Sequence, residues 1–292
     1  TSHVYPACRK AMEFVAERTG ARVVVADVPF PLEDEEEAVR PVLEAATPRT
    51  RLVLLDHVTS PTALVLPLAR LVAALRERGI ETLVDGAHAP GTVRLALDEL
   101  GAAYYAGNAH KWLCAPKGSA VLHVRRDRQG TTRPLATSHG FSRVPGPARF
   151  RAEFDWTGTC DPTPWLSIPA ALAHLGGLLP GGWPELMATN RALALEARSR
   201  LLAAIGAPTP APAPMIGSMA SVLLPAPAAG TPAALLSPEE LAGWFRERGV
   251  ETWLYPWPAP GGALLRLSAQ LYNRLDDYDR LSRLLLAALG RG

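Results

Sequence analysis

The sequence predicts an α/β fold: a mostly parallel sheet flanked by helices, as in the large domain of aspartate aminotransferase-like proteins, followed by a smaller C-terminal α+β domain. Three observations predict it. Short apolar runs rich in branched residues, RLVLLDHV (51–58) and IETLVDGA (80–87), alternate with helical patterns at the rhythm of strand–helix–strand units. These runs are apolar throughout rather than alternating, as in strands covered on both faces. After the proline-rich stretch APTPAPAPM (207–215) the order changes to strand, helix, strand, strand, helix. The expected division is therefore a large domain over 1–205 and a small one over 206–292.

Taken in order, Ala11, Phe14 and Val15 have helical spacing and Gly20 stops that helix. ARVVVADV (21–28) reads as a strand. The acidic run Glu33 to Glu37 opens a helix, where negative charge opposes the N-terminal dipole. Residues 51–58 form a strand, 66–78 a helix ended by Gly79, and 80–87 a further strand. AAYYAGN (102–108) and SAVLHV (119–124) are two more. Residues 125–162 look loop-rich and polar, with Arg143, Arg149, Arg151 and DWTGTCDPTP. Residues 164–205 are helical with a Pro-Gly break at 180–184. Beyond the stiff segment 207–215 come strand 219–224, helix 238–248, strands 250–255 and 263–269, and helix 275–289. Ser237, Pro238 and Glu240 are a strong helix start: N-cap, first-turn proline and third-position acid.

Composition narrows the function classes. The chain has 292 residues, 48% apolar and 20% charged, with net charge +2, normal for a globular protein. Nothing in that balance calls for nucleic acid or an acidic membrane surface. No apolar run reaches the length of a membrane span, and no stretch reads as a signal peptide. Cys8, Cys114 and Cys160 are widely spaced and odd in number, which fits a reducing compartment, with the cytoplasm the expected location.

The chemistry-bearing residues collect after strand ends: Asp56–His57, Asp85–His88 and Asn108–Lys111. In open parallel sheets ligands sit beyond those ends. Lys111 lies in HKWLCAP, whose apolar neighbours desolvate the amine and make it nucleophilic; the plain alternative is a lysine reaching solvent. Asp85 either caps the next helix or holds a ring nitrogen protonated. His57, His88 and His110 flank the lysine, but no HxxxH or CxxC spacing supports a metal. Arg266, in LLRLSAQLYN, is an arginine inside an apolar strand. It needs either an internal carboxylate or a ligand's. No GxSxG, GxGxxG or GxxxxGK[ST] motif occurs.

DHVTSPTALVLP, LVDGAHAPG, GNAHKWLCAPKG and LLRLSAQLYN stand in the order and spacing of one family. The sequence resembles the class V aminotransferases among fold-type I pyridoxal phosphate enzymes, most closely the isopenicillin N epimerase-like subgroup. That resemblance implies a homodimeric enzyme acting at Cα of an amino acid or amino-acid-containing small molecule, by epimerisation or amino-group transfer. C–S lyase chemistry and a truncated, non-catalytic homologue are its alternatives. The resemblance makes Lys111 the lysine that bonds the cofactor and Asp85 the partner of its ring nitrogen. It makes His88 a donor to the cofactor's phenolic oxygen, and Asn108 and His110 phosphate ligands. Thr159 would reach the phosphate of the partner subunit, and Arg266 would take the substrate α-carboxylate. His3 would stack on the ring, and Thr59 and Ser60 would line the pocket beside it. The family carries a phosphate-holding loop ahead of the position of His3, and this sequence begins two residues before that histidine; the expectation is a large domain incomplete at its N-terminal side. The family's desulfurases carry a cysteine just before the carboxylate arginine. Here that stretch, YPWPAPGGALLR (255–266), has none. Its aromatics, with Trp253, suggest an apolar wall or core packing.

Overall fold

The computed structural model describes residues 1–141, 145–146, 148–257 and 262–291. The chain opens with α1 (Pro6–Thr19), which has a proline in its first turn and ends at Gly20. α2 (Glu36–Ala45) follows, with Glu36 and Glu37 in its first turn. Then come β1 (Leu52–Asp56), α3 (Leu68–Glu77), β2 (Glu81–Asp85), the single turn α4 (Leu97–Leu100), β3 (Tyr104–Asn108) and β4 (Ala120–Val124). α3 buries Leu68, Leu71, Val72 and Leu75, spaced so that all four share one face. The strands pair in the order β1-β2-β3-β4, the first three parallel and β4 antiparallel. The mostly parallel sheet is thus present, with its one reversed strand at an edge.

The helical stretch comprises α5 (Ala148–Asp155), α6 (Thr163–Leu166), α7 (Ile168–Gly176) and the long α8 (Gly182–Ile205). The smaller sheet, order β5-β7-β6, follows from β5 (Met219–Leu223), β6 (Trp253–Pro256) and β7 (Ala263–Ser268), all antiparallel. Around it lie α9 (Pro232–Leu235), α10 (Pro238–Glu247) and α11 (Leu275–Leu289). The capping box at α10 forms as its sequence dictates: Glu240 N–H donates to Ser237 Oγ at 3.3 Å, and Ser237 N–H donates to the Glu240 carboxylate at 2.9 Å. One cluster of buried apolar side chains runs from Ala26 through α3, β1 and β2 to α8, β5, β7 and α11.

Two expectations need correction, and two further segments carry more structure than their composition shows. Residues 21–28 are extended but belong to no strand. Ser2 N–H donates to the Ala26 carbonyl (2.8 Å) and Val28 N–H to Ser2 Oγ (3.0 Å), contacts with a loop rather than a ladder. The sheet is not covered on both faces throughout: the consecutive residues Val121 and Leu122 on β4, which point to opposite faces, are both exposed. The polar stretch 125–162 contains a helix, α5, organised by Glu153, which is buried and receives Arg149 (2.7 Å) and Arg133; Arg143 lies outside the described residues. Finally, the proline-rich segment 207–215, expected to be stiff, is held at three points. Leu32 N–H donates to the Pro210 carbonyl (3.0 Å), Arg198 to Ala211 (2.8 Å) and Arg191 to Ala213 (2.8 Å).

Candidate active site

Parallel pairing brings three strand ends to one edge. Asp56 stands opposite Asp85, and Asp85 opposite Ala106. Aligned residues on neighbouring strands point to the same face, so the Asp56 and Asp85 side chains stand side by side, with the exposed Ala106 leaving room next to Asp85. His57 and Tyr105 take the opposite face, His57 Nδ1 and Tyr105 Oη lying 2.9 Å apart. Burial pushes the Tyr105 hydroxyl up and His57 down to about 4. Gly86 is required there, since a Cβ would come within 2.2 Å of the Tyr105 ring.

Lys111 rides on the loop between β3 and β4. Ala109, Leu113 and Ala115 anchor that loop by burying against Ile168, Ala171 and Trp183. Ala115 N–H closes it on the Ala109 carbonyl at 3.1 Å. The lysine itself is left half-buried, with Nζ 3.3 Å from His88 Nε2. The other ring nitrogen, His88 Nδ1, accepts from the Trp112 indole N–H at 3.4 Å. An indole nitrogen only donates. His88 therefore carries its proton on Nε2, and the Lys111 nitrogen must receive it with a lone pair. That arrangement suits a neutral amine. Desolvation lowers the Lys111 pKa in the same sense; the Asp85 charge opposes it and the Arg266 charge adds to it. His88 is held neutral, at about 3, by burial and then by the charges of Lys111 and Arg266.

The same loop stores strain. Cys114 has φ of 54°, a left-handed conformation that costs a side-chain-bearing residue roughly 1–2 kcal/mol. Cys114→Gly is expected to stabilise the fold by a few tenths to about 1 kcal/mol after the added freedom of the unfolded glycine is subtracted. A denaturation midpoint that fails to rise would show that the thiol side chain compensates the strain.

Arg266 comes from β7, in the other sheet, and is only 8% exposed. Its Nη1 donates to the Ser60 carbonyl at 2.5 Å and to Ser60 Oγ at 3.3 Å. Among the described residues it has no carboxylate partner, and its Nε is buried with no acceptor. The internal salt bridge that would have explained it is therefore absent among those residues. The Tyr255 ring lies 5.5 Å from the guanidinium. A buried cation without a counterion is costly, and desolvation lowers its pKa.

Asp85 is held by its own turn: Oδ1 accepts from Ala87 N–H at 2.9 Å. Asp56 is 2% exposed and its Oδ2 has no partner among the described residues. Burial, then repulsion from Asp85, raises it to about 7, while the Thr1 amino group pulls the other way. A carboxyl raised in the folded state stabilises the fold fully below the ordinary carboxylate pKa of about 4, and that stabilisation is lost as pH rises through about 7. Asp56→Asn is therefore expected to stabilise the protein more at pH 8 than at pH 5, by on the order of 2 kcal/mol. Equal effects at both pH values would contradict a protonated Asp56.

The remaining candidates are placed as follows. Thr59, Thr62 and His3 form a buried chain, Thr59 Oγ1 to Thr62 Oγ1 at 2.7 Å and Thr62 Oγ1 to His3 Nδ1 at 2.8 Å. His3 is enclosed by Phe30 and Trp257, edge to face at 5.9 and 4.9 Å. Its other nitrogen is bonded to the Val28 carbonyl at 3.0 Å. His110 Nδ1 donates to the Ser119 carbonyl at 2.9 Å. Asn108 ends β3, half-buried. Thr159 is exposed on the loop between α5 and α6, with no hydrogen bond to the Lys111 group. Of the predicted apolar wall, Tyr255 flanks Arg266, Trp253 is exposed and stacks on Tyr255, and residues 258–261 lie outside the described residues. Sequence reasoning gave no role to Trp112, whose indole sets the His88 tautomer, or to Asp56 and Cys8. Only Asp56 had a signal, its place at a strand end matching that of Asp85.

Among the described residues no three His, Cys, Asp or Glu side chains gather as metal ligands, and no helix is long and apolar enough to cross a membrane. The donor set is instead an amine whose pKa burial lowers, a carboxylate at a strand end and a guanidinium with no carboxylate partner among the described residues. It fits pyridoxal phosphate, which needs an amine for an imine bond and an acid for its ring nitrogen. The description "Aminotransferase class-V" matches residues 4–209, and the chain belongs to that family of pyridoxal phosphate-dependent enzymes. It is 38% identical over 295 residues to an isopenicillin N epimerase from Amycolatopsis lactamdurans, covering 96% of this chain and 71% of that one. It is 30% identical to a probable chloroplastic L-cysteine desulfhydrase from Arabidopsis thaliana, covering 96% and 61%. In fold it matches the cystine C–S lyase C-DES, solved with its product cysteine persulfide, at a TM-score of 0.76 with 22% identity over 98% of this chain and 73% of that one.

Proposed function

We propose that this protein acts at Cα of an amino acid or an amino-acid-containing small molecule, by epimerisation or amino-group transfer. The observation that carries the reading is Arg266: a buried cation without a carboxylate among the described residues, close enough to Lys111 and His88 for its charge to lower both. Identity to the isopenicillin N epimerase supports the same choice. Bound here, pyridoxal phosphate would supply an electron-withdrawing ring that acidifies the Cα–H of an attached amino acid.

This chain's residues do the rest. Asp85 keeps a proton on the ring nitrogen. Lys111 Nζ, uncharged, receives the Cα proton as general base, and His88 Nε2–H orients its lone pair. Arg266 grips the α-carboxylate, with Ser60 and Tyr255 fixing the guanidinium. Asn108 and His110 are proposed for the phosphate. Thr159 is proposed to act in the site of a second copy; the exposed Trp156, Trp165 and Leu166 around its loop support such pairing.

The test is to load the purified protein with pyridoxal phosphate and incubate it with amino acids in deuterium oxide, following the Cα–H signal by NMR. Exchange at Cα with the opposite enantiomer or an oxo acid as product is expected. No cofactor absorbance band at saturating pyridoxal phosphate, or a band without Cα exchange across the panel, would overturn the reading. The desulfhydrase relative favours a second outcome, β-elimination with sulfide release from cysteine, which the same incubation would report.

A further inference from the structure

We propose that Cys8 is a positioning residue of this site: its thiol donates to Asp85 Oδ2 at 3.2 Å and, with the Ala87 N–H on Oδ1, fixes the plane of the carboxylate. Cys8 lies in the first turns of α1, far from β2 in sequence, so the contact joins two separate elements. With the turn alone, one oxygen is tethered and the other free to swing. With the thiol as well, each oxygen has one donor and keeps a lone pair for a ligand. A thiol is a weak donor, so it orients the group while leaving most of its negative charge available.

Three charged or titratable groups face this pair. Asp56 stands beside Asp85, its Oδ2 buried with no partner among the described residues, and Lys111 lies close enough to feel both Cys8 and Asp85. Tyr105 feels the Asp85 charge from the opposite face of the sheet. Burial, then the charge and hydrogen bond of Asp85, push the Cys8 thiol up to about 12. It therefore stays protonated, a donor rather than a nucleophile, across the working pH range.

The second half of the proposal, that the fixed carboxylate serves the cofactor ring, rests on the reading of Asp85 given above; the first half does not. In protein without cofactor, alkylation of Cys8 by iodoacetamide at pH 8, followed by mass spectrometry of its peptide, reads the thiol–carboxylate coupling directly. Asp85→Asn is expected to speed Cys8 labelling by about three- to fourfold for each tenfold gain in acidity of the thiol, since a more acidic thiolate is also a weaker nucleophile, with labelling at Cys114 and Cys160 unchanged as an internal reference. An unchanged Cys8 rate would overturn the coupling, whatever the cofactor does.

With cofactor added, Cys8→Ala is expected to shift the pH dependence of the cofactor's absorbance band and lower kcat with little change in KM. Cys8→Ser, which keeps a donor, is expected to restore the profile in part. A Cys8→Ala protein with the wild-type pH profile and kcat would overturn the positioning role. Absence of any band in wild-type protein would instead overturn the cofactor reading and leave the labelling result standing.

Discussion

Lys111→Ala is expected to abolish the visible absorbance band that pyridoxal phosphate forms with the wild-type protein and to lower turnover by about 10²–10⁴-fold or more. The expectation comes from the state of the amine. The Trp112–His88–Lys111 chain leaves Nζ a lone pair and burial lowers its pKa, so it can attack a carbonyl and accept a proton. No other lysine is available nearby: Lys10 and Lys117 lie on exposed stretches. The half-buried side chain has no ion pair among the described residues, so its loss should leave the fold intact by circular dichroism. A band that survives in Lys111→Ala would show that the covalent site lies elsewhere.

Arg266→Ala is expected to weaken amino-acid binding by about 2–5 kcal/mol while the cofactor band persists. The magnitude is large because a desolvated guanidinium meets its carboxylate with little competition from water. The Ser60 carbonyl would lose its 2.5 Å donor in this variant, so Arg266→Lys serves as a second probe. It retains the charge and loses the planar fork, and binding between that of the wild type and the alanine variant is expected. Loss of the band in both variants would make Arg266 a structural residue instead.

The parts of the fold legible in the sequence were those written locally. The ends of β1, β2 and β3, the α10 capping box and the helix ending at Gly206 follow from runs, caps and periods. Segment 21–28 has a strand's composition, but pairing depends on a neighbour and composition does not record one. The proline-rich stretch has a linker's composition and is held by Arg191 and Arg198, whose reach is decided in three dimensions.

The candidate site divides in the same way. Lys111, Asp85 and Arg266 stand out because each breaks an apolar context, and that is visible residue by residue. Cys8, Asp56 and Trp112 break nothing locally. A thiol in a helix, an acid at a strand end and a tryptophan in an apolar loop acquire meaning only from what faces them. His3 shows the converse. The resemblance marks it from a short motif, and its contacts with Phe30, Trp257 and Thr62 are set only in three dimensions.

The bond from Arg266 to Ser60 spans 206 residues of sequence and joins the smaller sheet to the loop after β1. The residue proposed to hold the ligand is thus also a stitch between the two halves of the fold. A carboxylate arriving there would neutralise a buried charge that has no carboxylate partner among the described residues. Anything that binds the folded form in preference to the unfolded one shifts that equilibrium by mass action. Occupancy of this site and persistence of the fold are therefore coupled through a single guanidinium, and the protein should be sturdier at work than at rest.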